Sequence, residues 1–304
     1  MTVVYDVIII GAGPAGLAAA IYSSRARLTT LLIEKNSCGG QMIITDLLEN
    51  YPGFNGGING FDLAVKLESQ AKDFGAQIVY DEVTNIEDGK IKKVVTINNS
   101  YHAKTIIIAS GTHVKKMNIP GESAFIGRGV SFCATCDAPF YKDKDVAVIG
   151  GGDSAIQEAI YLSKFAKNVT IIHRRNSLRA TKILQERLSF YNNISVVYNS
   201  IPKEIIGTSS IEKIKIINIE TNETQEIKID GLFVFIGLLP NTDFLTNIAL
   251  DDKGYIVTDE NMHTSATGIF ACGDIRKKYL RQVITAASDG AQAAVSAGHY
   301  LETL

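Results

Sequence analysis

Residues 4–16 read VYDVIIIGAGPAG, and residues 146–155 read VAVIGGGDSA. In each stretch a β-branched strand runs into a glycine-rich turn, and a helix pattern follows, LAAAIYSSRA in the first copy and IQEAIYLSKFA in the second. A second apolar strand comes next, TTLLIEK or VTIIHRR. The residue that ends this strand, Glu34 or His173, lies at the same distance from the first glycine of its turn. The chain therefore contains the start of a βαβ unit twice, which predicts two Rossmann-like domains.

The rest of the chain indicates how these two domains are connected. Strand-like runs occupy residues 76–108 after the first copy and 194–236 after the second. Glycine and proline at 110–122 and 237–242 are typical of crossings between domains. Two crossings imply an insertion, so we predict an α/β fold of two three-layer dinucleotide-binding domains, the second inserted in the first. The boundaries are 1–113, 114–242 and 243–304, and the Ala-rich segment at 282–301 is expected to be a helix.

The composition restricts the kind of partner. The 304 residues carry a net charge of −2 and are 46% hydrophobic, enough for two domains with their own cores. The sequence contains no block of basic residues that would indicate nucleic-acid binding. No apolar run reaches the roughly 18 residues of a membrane span. The first apolar stretch leads directly into the glycine turn, so we interpret it as a strand and not as an export signal. We expect a cytoplasmic protein that binds small molecules or another protein.

The glycine spacing indicates a dinucleotide site in each copy. Gly11 permits a tight turn, Gly13 lets the backbone approach a pyrophosphate, and Gly16 lets the helix pack on the strand. Glu34 can accept hydrogen bonds from ribose hydroxyls and would repel a 2′-phosphate, so this site should hold an adenosine without that phosphate. The alternative is a helix start whose glycines serve packing alone.

The second copy has the opposite charge at the corresponding place. Gly150, Gly152 and Ala155 form its turn, followed by the basic residues His173, Arg174, Arg175 and Arg179. Guanidinium groups pair bidentately with phosphate, so this site should prefer NADPH to NADH. A solvated strand end is the alternative interpretation of the HRR sequence.

The cysteines suggest redox chemistry. Cys133 and Cys136 form a CATC sequence, a spacing that lets two sulfurs form and open a small ring. A structural zinc site needs four ligands, and Cys38 and Cys272 are isolated, so we predict no metal. Asp137 follows the pair and could shuttle a proton during disulfide exchange, although an acid here could equally be a cap.

Several motifs in one order identify a family. GAGPAGLAAA, GGQM, ENYPGF, ASG, IPGE, CATCDAPF, GGGDSA, HRR, GIFACGDI and LRQVITAASDG all occur in this chain. Over essentially its whole length the sequence resembles the low-molecular-weight thioredoxin reductases. The resemblance implies FAD in the first domain, NADPH in the inserted domain, a homodimer, a cytoplasmic setting and oxidised thioredoxin as the acceptor. Cys136 would be the flavin-side sulfur and Cys133 the attacking one.

The resemblance also assigns site residues by position. The FAD site would be lined by Gly11, Gly13, Pro14, Ala15, Gly16, Glu34, Lys35, Gly40, Gln41, Asn50, Gly111, Gly273, Asp274, Arg281 and Gln282. The NADPH site would be lined by Gly150, Gly152, Asp153, Ser154, Ala155, His173, Arg174, Arg175 and Arg179. Cys133, Cys136 and Asp137 would be the catalytic residues. Ser110 and Leu280 depart from the commonest family pattern, where Thr and Tyr are frequent.

Other flavoenzymes and a different class of protein are the alternatives. A reductase that takes electrons from ferredoxin would not need the HRR and GGGDSA motifs, and one serving a peroxidase commonly carries an extra thioredoxin-like domain. Reductases of the glutathione-reductase type have CxxxxC near the first glycine motif, and a ferredoxin–NADP reductase has no CATC. A non-catalytic sensor that binds FAD and reports through its disulfide is the alternative from a different class.

Overall fold

The protein is described by a computed structural model, which covers residues 3–45 and 47–304. The chain forms two compact units. Unit 1 contains Met1–His113 and Leu239–Leu304, and unit 2 contains Val114–Leu238. The chain changes unit inside both stretches that the sequence marks as crossings, and the two connecting strands pair with each other as a two-stranded sheet.

The elements alternate as expected for an α/β chain. The helices are α1 (Pro14–Arg25), α2 (Gly60–Asp73), α3 (Glu122–Phe125), α4 (Ala134–Asp137), α5 (Asp153–Leu162), α6 (Lys182–Leu188) and α7 (Val283–Leu301). The strands are β1 (Val4–Ile10), β2 (Thr30–Glu34), β3 (Gln77–Tyr80), β4 (Val83–Glu87), β5 (Lys92–Thr96), β6 (Ser100–Ile108), β7 (Thr112–Val114), β8 (Val130–Ser131), β9 (Asp145–Ile149), β10 (Asn168–Ile172), β11 (Ile194–Val197), β12 (Ser200–Gly207), β13 (Ile211–Asn218), β14 (Thr224–Lys228), β15 (Gly231–Val234), β16 (Leu238–Pro240) and β17 (Ile269–Ala271).

The central sheet of unit 1 is mixed, with a parallel part that is buried on both faces. Its strands run in the order β3-β2-β1-β6; the end of β6 also pairs in parallel with β17, and its start continues through antiparallel β5 and β4. Because side chains alternate along a strand, Val7 and Ile9 join the core formed with α1 and α7, whereas Ile8 and Ile10 join the core on the opposite face. This two-sided burial explains the continuous apolar run of β1.

Unit 2 repeats this plan with five parallel strands in the order β11-β10-β9-β15-β8. Val146 and Val148 of β9 pack with α5 on one face. Ala147 and Ile149 pack with the antiparallel sheet β12-β13-β14 on the other. The result is three layers, and together with the split of unit 1 it confirms the predicted α/β fold.

Helix α7 confirms the prediction made from the Ala-rich segment. It packs on α1, and a Cβ atom at Gly290 would collide with the carbonyl oxygen of Ala15. Small residues therefore let α7 approach the helix that follows the first glycine turn. Within the described ranges, no helix combines the length and the apolar character needed to cross a bilayer.

Candidate active site: two glycine loops and a disulfide

The first glycine loop connects β1 to α1. Gly11 adopts a positive φ of 99°, and its N–H donates to the carbonyl of Ile33 at 2.8 Å. Gly13 is the N-cap of α1 and no side chain caps the helix. A Cβ at Gly16 would collide with the Gly11 carbonyl, whereas no atom lies within 4 Å of the place where a Cβ at Gly13 would stand. The loop is tight on the helix side and open at Gly13, with the N-terminal amides of α1 behind Pro14 available to a phosphate.

Glu34 ends β2 beside this loop. Its Oε2 accepts the Ala12 N–H at 2.7 Å, and its Oε1 accepts the Asn36 N–H at 2.9 Å. The carboxylate is thus held against the loop by the backbone. Lys35, the next residue, directs its Nζ to Glu82 at 2.6 Å, in an exposed ion pair.

Three further parts of unit 1 bring predicted site residues together. Gly40 begins a short 3₁₀ helix, and a Cβ on it would lie 3.2 Å from the Cα of Gly13. The Gln41 side chain donates to the carbonyl of Thr112 at 3.3 Å. Asn50 donates to Gln282 Oε1 at 2.9 Å. Residues that are far apart in the sequence therefore meet here. Gly111, on the connection after β6, adopts a positive φ of 62°, and Gln282 is the N-cap of α7.

Asp274 lies on a 3₁₀ turn, Gly273–Ile275, that follows β17. Its Oδ1 is buried and has no hydrogen-bond partner among residues 3–45 and 47–304. Burial is the main cause of a raised pKa for this carboxyl, opposed by the positive charges of Lys278 and Arg281. A Cβ at Gly273 would stand 2.7 Å from the Cβ of Ala15, so the turn lies against the first helix. A buried acceptor without a partner suits a ligand hydroxyl that donates a hydrogen bond.

Arg281 is held in place by the same turn. Its Nε donates to the Asp274 carbonyl at 3.4 Å and its Nη2 to the Arg276 carbonyl at 3.3 Å. Its guanidinium lies 4.1 Å from the ring centroid of Tyr255. Sequence patterns did not single out Tyr255, because its stacking on Arg281 exists only in the folded chain.

The second glycine loop, between β9 and α5, closely resembles the first in its backbone geometry. Gly150 has a φ of 151° and donates to the Ile172 carbonyl at 3.1 Å. Gly152 is the N-cap of α5, has no side-chain cap and is open where a Cβ would stand. Asp153 accepts the Thr181 N–H at 2.7 Å, and Ser154 is exposed in the first turn of the helix, ahead of the buried Ala155.

His173 lies beneath the second glycine loop, a placement that its position in the sequence does not indicate. Strand β10 ends at Ile172, and the His173 ring is buried beneath Gly151, where a Cβ would collide with it. Its Nε2 lies 3.1 Å from the Ser177 carbonyl oxygen. Burial, helped by the nearby arginines, lowers the pKa of His173, so the ring is neutral at pH 7.

The positive charge near this loop therefore belongs to the arginines. Arg174, Arg175 and Arg179 are exposed. The N–H groups of Arg179 and Ala180 donate to the Gly151 carbonyl at 2.6 and 3.1 Å, which holds the arginine segment beside the glycine loop.

Cys133 and Cys136 form a disulfide at the start of α4. The Cys136 N–H donates to Cys133 Sγ at 3.1 Å, and the Cys133 N–H donates to Ser131 Oγ at 3.0 Å. Cys133 is half-buried and Cys136 is exposed. Asp137 is tied to the pair through its N–H, 3.3 Å from the Cys133 carbonyl. Its charge adds to burial in raising the pKa of Tyr141.

The other two cysteines are buried free thiols in unit 1. Burial raises the pKa of Cys38 to about 11 and also raises that of Cys272. Neither is activated as a nucleophile. In the part of the chain that the structure describes, no three His, Cys, Asp or Glu side chains are grouped to hold a metal ion.

Comparison with known proteins places this arrangement in a family. The model of the pyridine nucleotide-disulphide oxidoreductase family matches residues 5–290. The thioredoxin reductase of Treponema pallidum is 49% identical over 99% of this chain and 98% of its own, and that of Bacillus subtilis is 47% identical over 99% and 96%. The structure of Lactococcus lactis thioredoxin reductase in its FR conformation superposes with a TM-score of 0.97 at 44% identity, covering 99% of this chain and 100% of that one. The chain therefore belongs to the pyridine nucleotide-disulphide oxidoreductase family, among relatives that are thioredoxin reductases.

Proposed function

We propose that the chain is an NADPH-dependent thioredoxin-disulfide reductase, which passes electrons from NADPH through FAD and the Cys133–Cys136 disulfide to oxidised thioredoxin. Membership of the family implies FAD and NADPH as the cofactors. The observation that carries the proposal is a disulfide whose Cys133 sulfur accepts a backbone N–H, in a chain with two open glycine loops.

The residues of unit 1 fit FAD. The open side of Gly13 and the uncapped start of α1 suit the pyrophosphate, Glu34 suits the ribose, and the unpartnered Asp274 Oδ1 suits a hydroxyl group. We assign to this site the residues predicted by sequence, which are Gly11, Gly13, Pro14, Ala15, Gly16, Glu34, Lys35, Gly40, Gln41, Asn50, Gly111, Gly273, Asp274, Arg281 and Gln282.

The residues of unit 2 suit NADPH. Gly150, Gly152, Asp153, Ser154 and Ala155 form the loop and the helix start, and Arg174, Arg175 and Arg179 are available to a 2′-phosphate. His173 would support the loop from beneath, since its neutral ring packs under Gly151. Its predicted contact with the cofactor would then be indirect.

When bound, FAD would supply the chemistry that links NADPH to the disulfide, namely acceptance of a hydride and release of two electrons. Reduction opens the bond between Cys133 and Cys136 and leaves two thiols. The Cys136 N–H, which donates to Cys133 Sγ in the disulfide, is placed to stabilise negative charge on that sulfur. Cys133 then attacks a sulfur of oxidised thioredoxin, and Cys136 resolves the mixed disulfide, which restores the internal bond and releases thioredoxin as a dithiol. Asp137 would exchange the proton with the thiol that is not charged.

Anaerobic rapid mixing of the flavin-loaded protein with NADPH tests the proposal. The visible flavin band should bleach, two thiols should appear, and oxidised thioredoxin should restore the band. Cys133→Ser and Cys136→Ser should each bleach but not recover with thioredoxin, while Cys38→Ser, a matched thiol outside the disulfide, should behave as wild type. Bleaching without recovery in the wild type would point to a sensor or to another acceptor.

A homodimer and a cytoplasmic location complete the proposal. Phe61 and Val65 lie one turn apart on α2 with exposed side chains, which gives unit 1 an apolar strip. The free thiols of Cys38 and Cys272 suit a reducing compartment. Sedimentation should report a particle of two chains that becomes one on Phe61→Lys substitution, and fractionation of the source cells should find the protein in the cytoplasm.

A further inference from the structure

Asp289 is the single acidic residue of α7, and it is 8% exposed. Its Oδ2 accepts the Gly273 N–H at 3.1 Å and lies 2.7 Å from Lys278 Nζ. Its Oδ1 lies 3.1 Å from Arg276 Nη1. The side chains of Arg276 and Lys278 are only 13% and 10% exposed, so the carboxylate and both cations form a buried cluster.

This cluster ties down a complete loop. Gly273, Arg276 and Lys278 are three points along one segment that also carries Asp274. Arg276 reaches further, because its Nε donates to Thr258 Oγ1 at 2.8 Å. The segment is therefore attached to α7 at both of its ends through one carboxylate.

The neighbouring residue of α7 contacts the other part of the same candidate site. Gly290 packs so closely on α1 that a Cβ would collide with the carbonyl oxygen of Ala15, and a Cβ at Gly273 would stand 2.7 Å from the Cβ of Ala15. The pair Asp289 and Gly290 thus links the loop that carries Asp274 to the helix that follows the first glycine loop. The relative position of this loop and this helix decides whether one ligand can contact both of them.

We infer that Asp289 is a positioning residue for FAD: it fixes the Gly273–Lys278 loop on α7 so that Asp274 and the N-terminus of α1 engage the same cofactor. This inference rests on the proposed function, because it takes FAD as the ligand. A buried carboxylate between two cations tolerates little displacement, since each group loses its solvation and keeps its partners only in one geometry. Asp289 itself contacts no reacting atom.

The test compares Asp289→Asn with a matched change elsewhere in unit 1. Asp6 also pairs with a lysine, Lys104, at 2.8 Å and accepts a backbone N–H from Thr29 at 2.9 Å. It stands five residues before Gly11 on an extended strand, about 16 Å away at roughly 3.3 Å per residue. Asp6→Asn should lower thermal stability without reaching the site.

Deflavinated proteins are titrated with FAD while flavin fluorescence is followed, and the visible absorption band of the bound flavin is recorded. For Asp289→Asn the dissociation constant should rise by about 10- to 100-fold, the range found when a group that orients a metal ligand is removed, and the band should shift. For Asp6→Asn the constant should stay within about twofold of wild type, with an unchanged band.

The outcomes separate the inference from the proposed function. A wild-type protein that binds no FAD defeats the proposed function itself. A wild type that binds FAD, together with an Asp289→Asn variant of equal affinity and equal spectrum, overturns the inference even if the variant melts earlier, because the role would then be structural only. If Asp289→Asn does not fold, Lys278→Met is titrated instead, since it keeps the Arg276 pair; an unchanged constant for that variant also overturns the inference.

Discussion

The two glycine loops are built on the same backbone frame but end in different chemistry. In both, the first glycine donates to a carbonyl at the end of the second strand: Gly11 to that of Ile33, the residue before the last of β2, and Gly150 to that of Ile172, the last residue of β10. The two loops differ at the residue that follows this carbonyl, which is Glu34 in unit 1 and His173 in unit 2. Glu34 turns its carboxylate toward the loop and accepts an amide, whereas His173 turns a neutral ring beneath its loop.

This difference shows which part of a nucleotide site the backbone determines and which part the side chains determine. The tight turn and the uncapped helix start are common to both loops and recognise phosphate in general. In the proposed sites, the group beside the ribose would be set by a few side chains, an acid in unit 1 and exposed arginines in unit 2. The helix in unit 1 also approaches more closely, because a Cβ at Gly16 would collide with the loop where Ala155 is tolerated.

The largest effect is expected from alanine substitution at two glycines of the first loop, Gly16, where a Cβ would collide with the loop (the closed position), and Gly13, where a Cβ would meet no atom (the open position). Gly16→Ala should lower the free energy of unfolding by about 3 kcal/mol, because the new Cβ overlaps the Gly11 carbonyl. Gly13→Ala should leave that free energy nearly unchanged, since its backbone is extended and its surroundings are open, yet it should weaken FAD binding by about 100-fold through contact with the pyrophosphate. Urea denaturation and FAD titration measure the two quantities. Equal behaviour of the two variants would contradict the division into closed and open positions.

The next effect concerns the charge of the second loop. Replacing Arg174, Arg175 or Arg179 by alanine should reduce the preference for NADPH over NADH by about 10- to 100-fold, because each guanidinium can supply charge-assisted bonds of about 1.5–3 kcal/mol. The ratio of kcat/KM values for flavin reduction by the two donors measures it. Arg128→Ala, an exposed arginine of the same unit, should leave the ratio unchanged. A wild type that uses both donors equally well would refute the assignment.

A smaller effect should appear in the pH dependence of the flavin-free protein. The folded-state pKa of Asp274 is raised, so the folded chain binds this proton more tightly than the unfolded one. Stability is therefore lost as pH rises from the ordinary carboxyl pKa of 3.8 through the folded value. Asp274→Asn removes this loss, and its unfolding free energy should exceed that of wild type at pH 7 by about 1 kcal/mol, with a smaller difference at pH 4. A constant difference across this range would show that the buried carboxyl does not titrate as described.

Sequence alone predicted the elements whose determinants are local. The β-branched run gave β1 at residues 4–10, the glycine spacing located both turns, and the Ala-rich segment gave α7. These patterns work because a tight turn and a close helix contact each restrict the residue at a single position.

The remaining features depend on residues that meet only in three dimensions. Asp289 joins Gly273 and Lys278 across a turn and a helix start, and the one available signal was a lone acid in a helix of small residues. The match in position between His173 and Glu34 predicts that His173 contacts the cofactor, and this contact stays a prediction. Position along a strand does not determine whether a side chain turns outward or packs beneath the loop, as the His173 ring does.

The smallest effect is expected at the cysteines of unit 1, where no reaction should occur. After reduction, iodoacetamide at pH 8 should label Cys133 and Cys136 and leave Cys38 and Cys272 unmodified, as read by peptide mass spectrometry. At that pH a thiol of pKa about 11 is ionised to about one part in a thousand, and Cys272 is more deeply buried still. Denatured protein should label at all four positions, which is the control. Rapid labelling of Cys38 in the folded protein would show that burial does not suppress its reactivity. The contrast between an inert thiol beside the first loop and a reactive pair in unit 2 would then fail, because it rests on the burial of Cys38 and on the N–H donor to Cys133 Sγ.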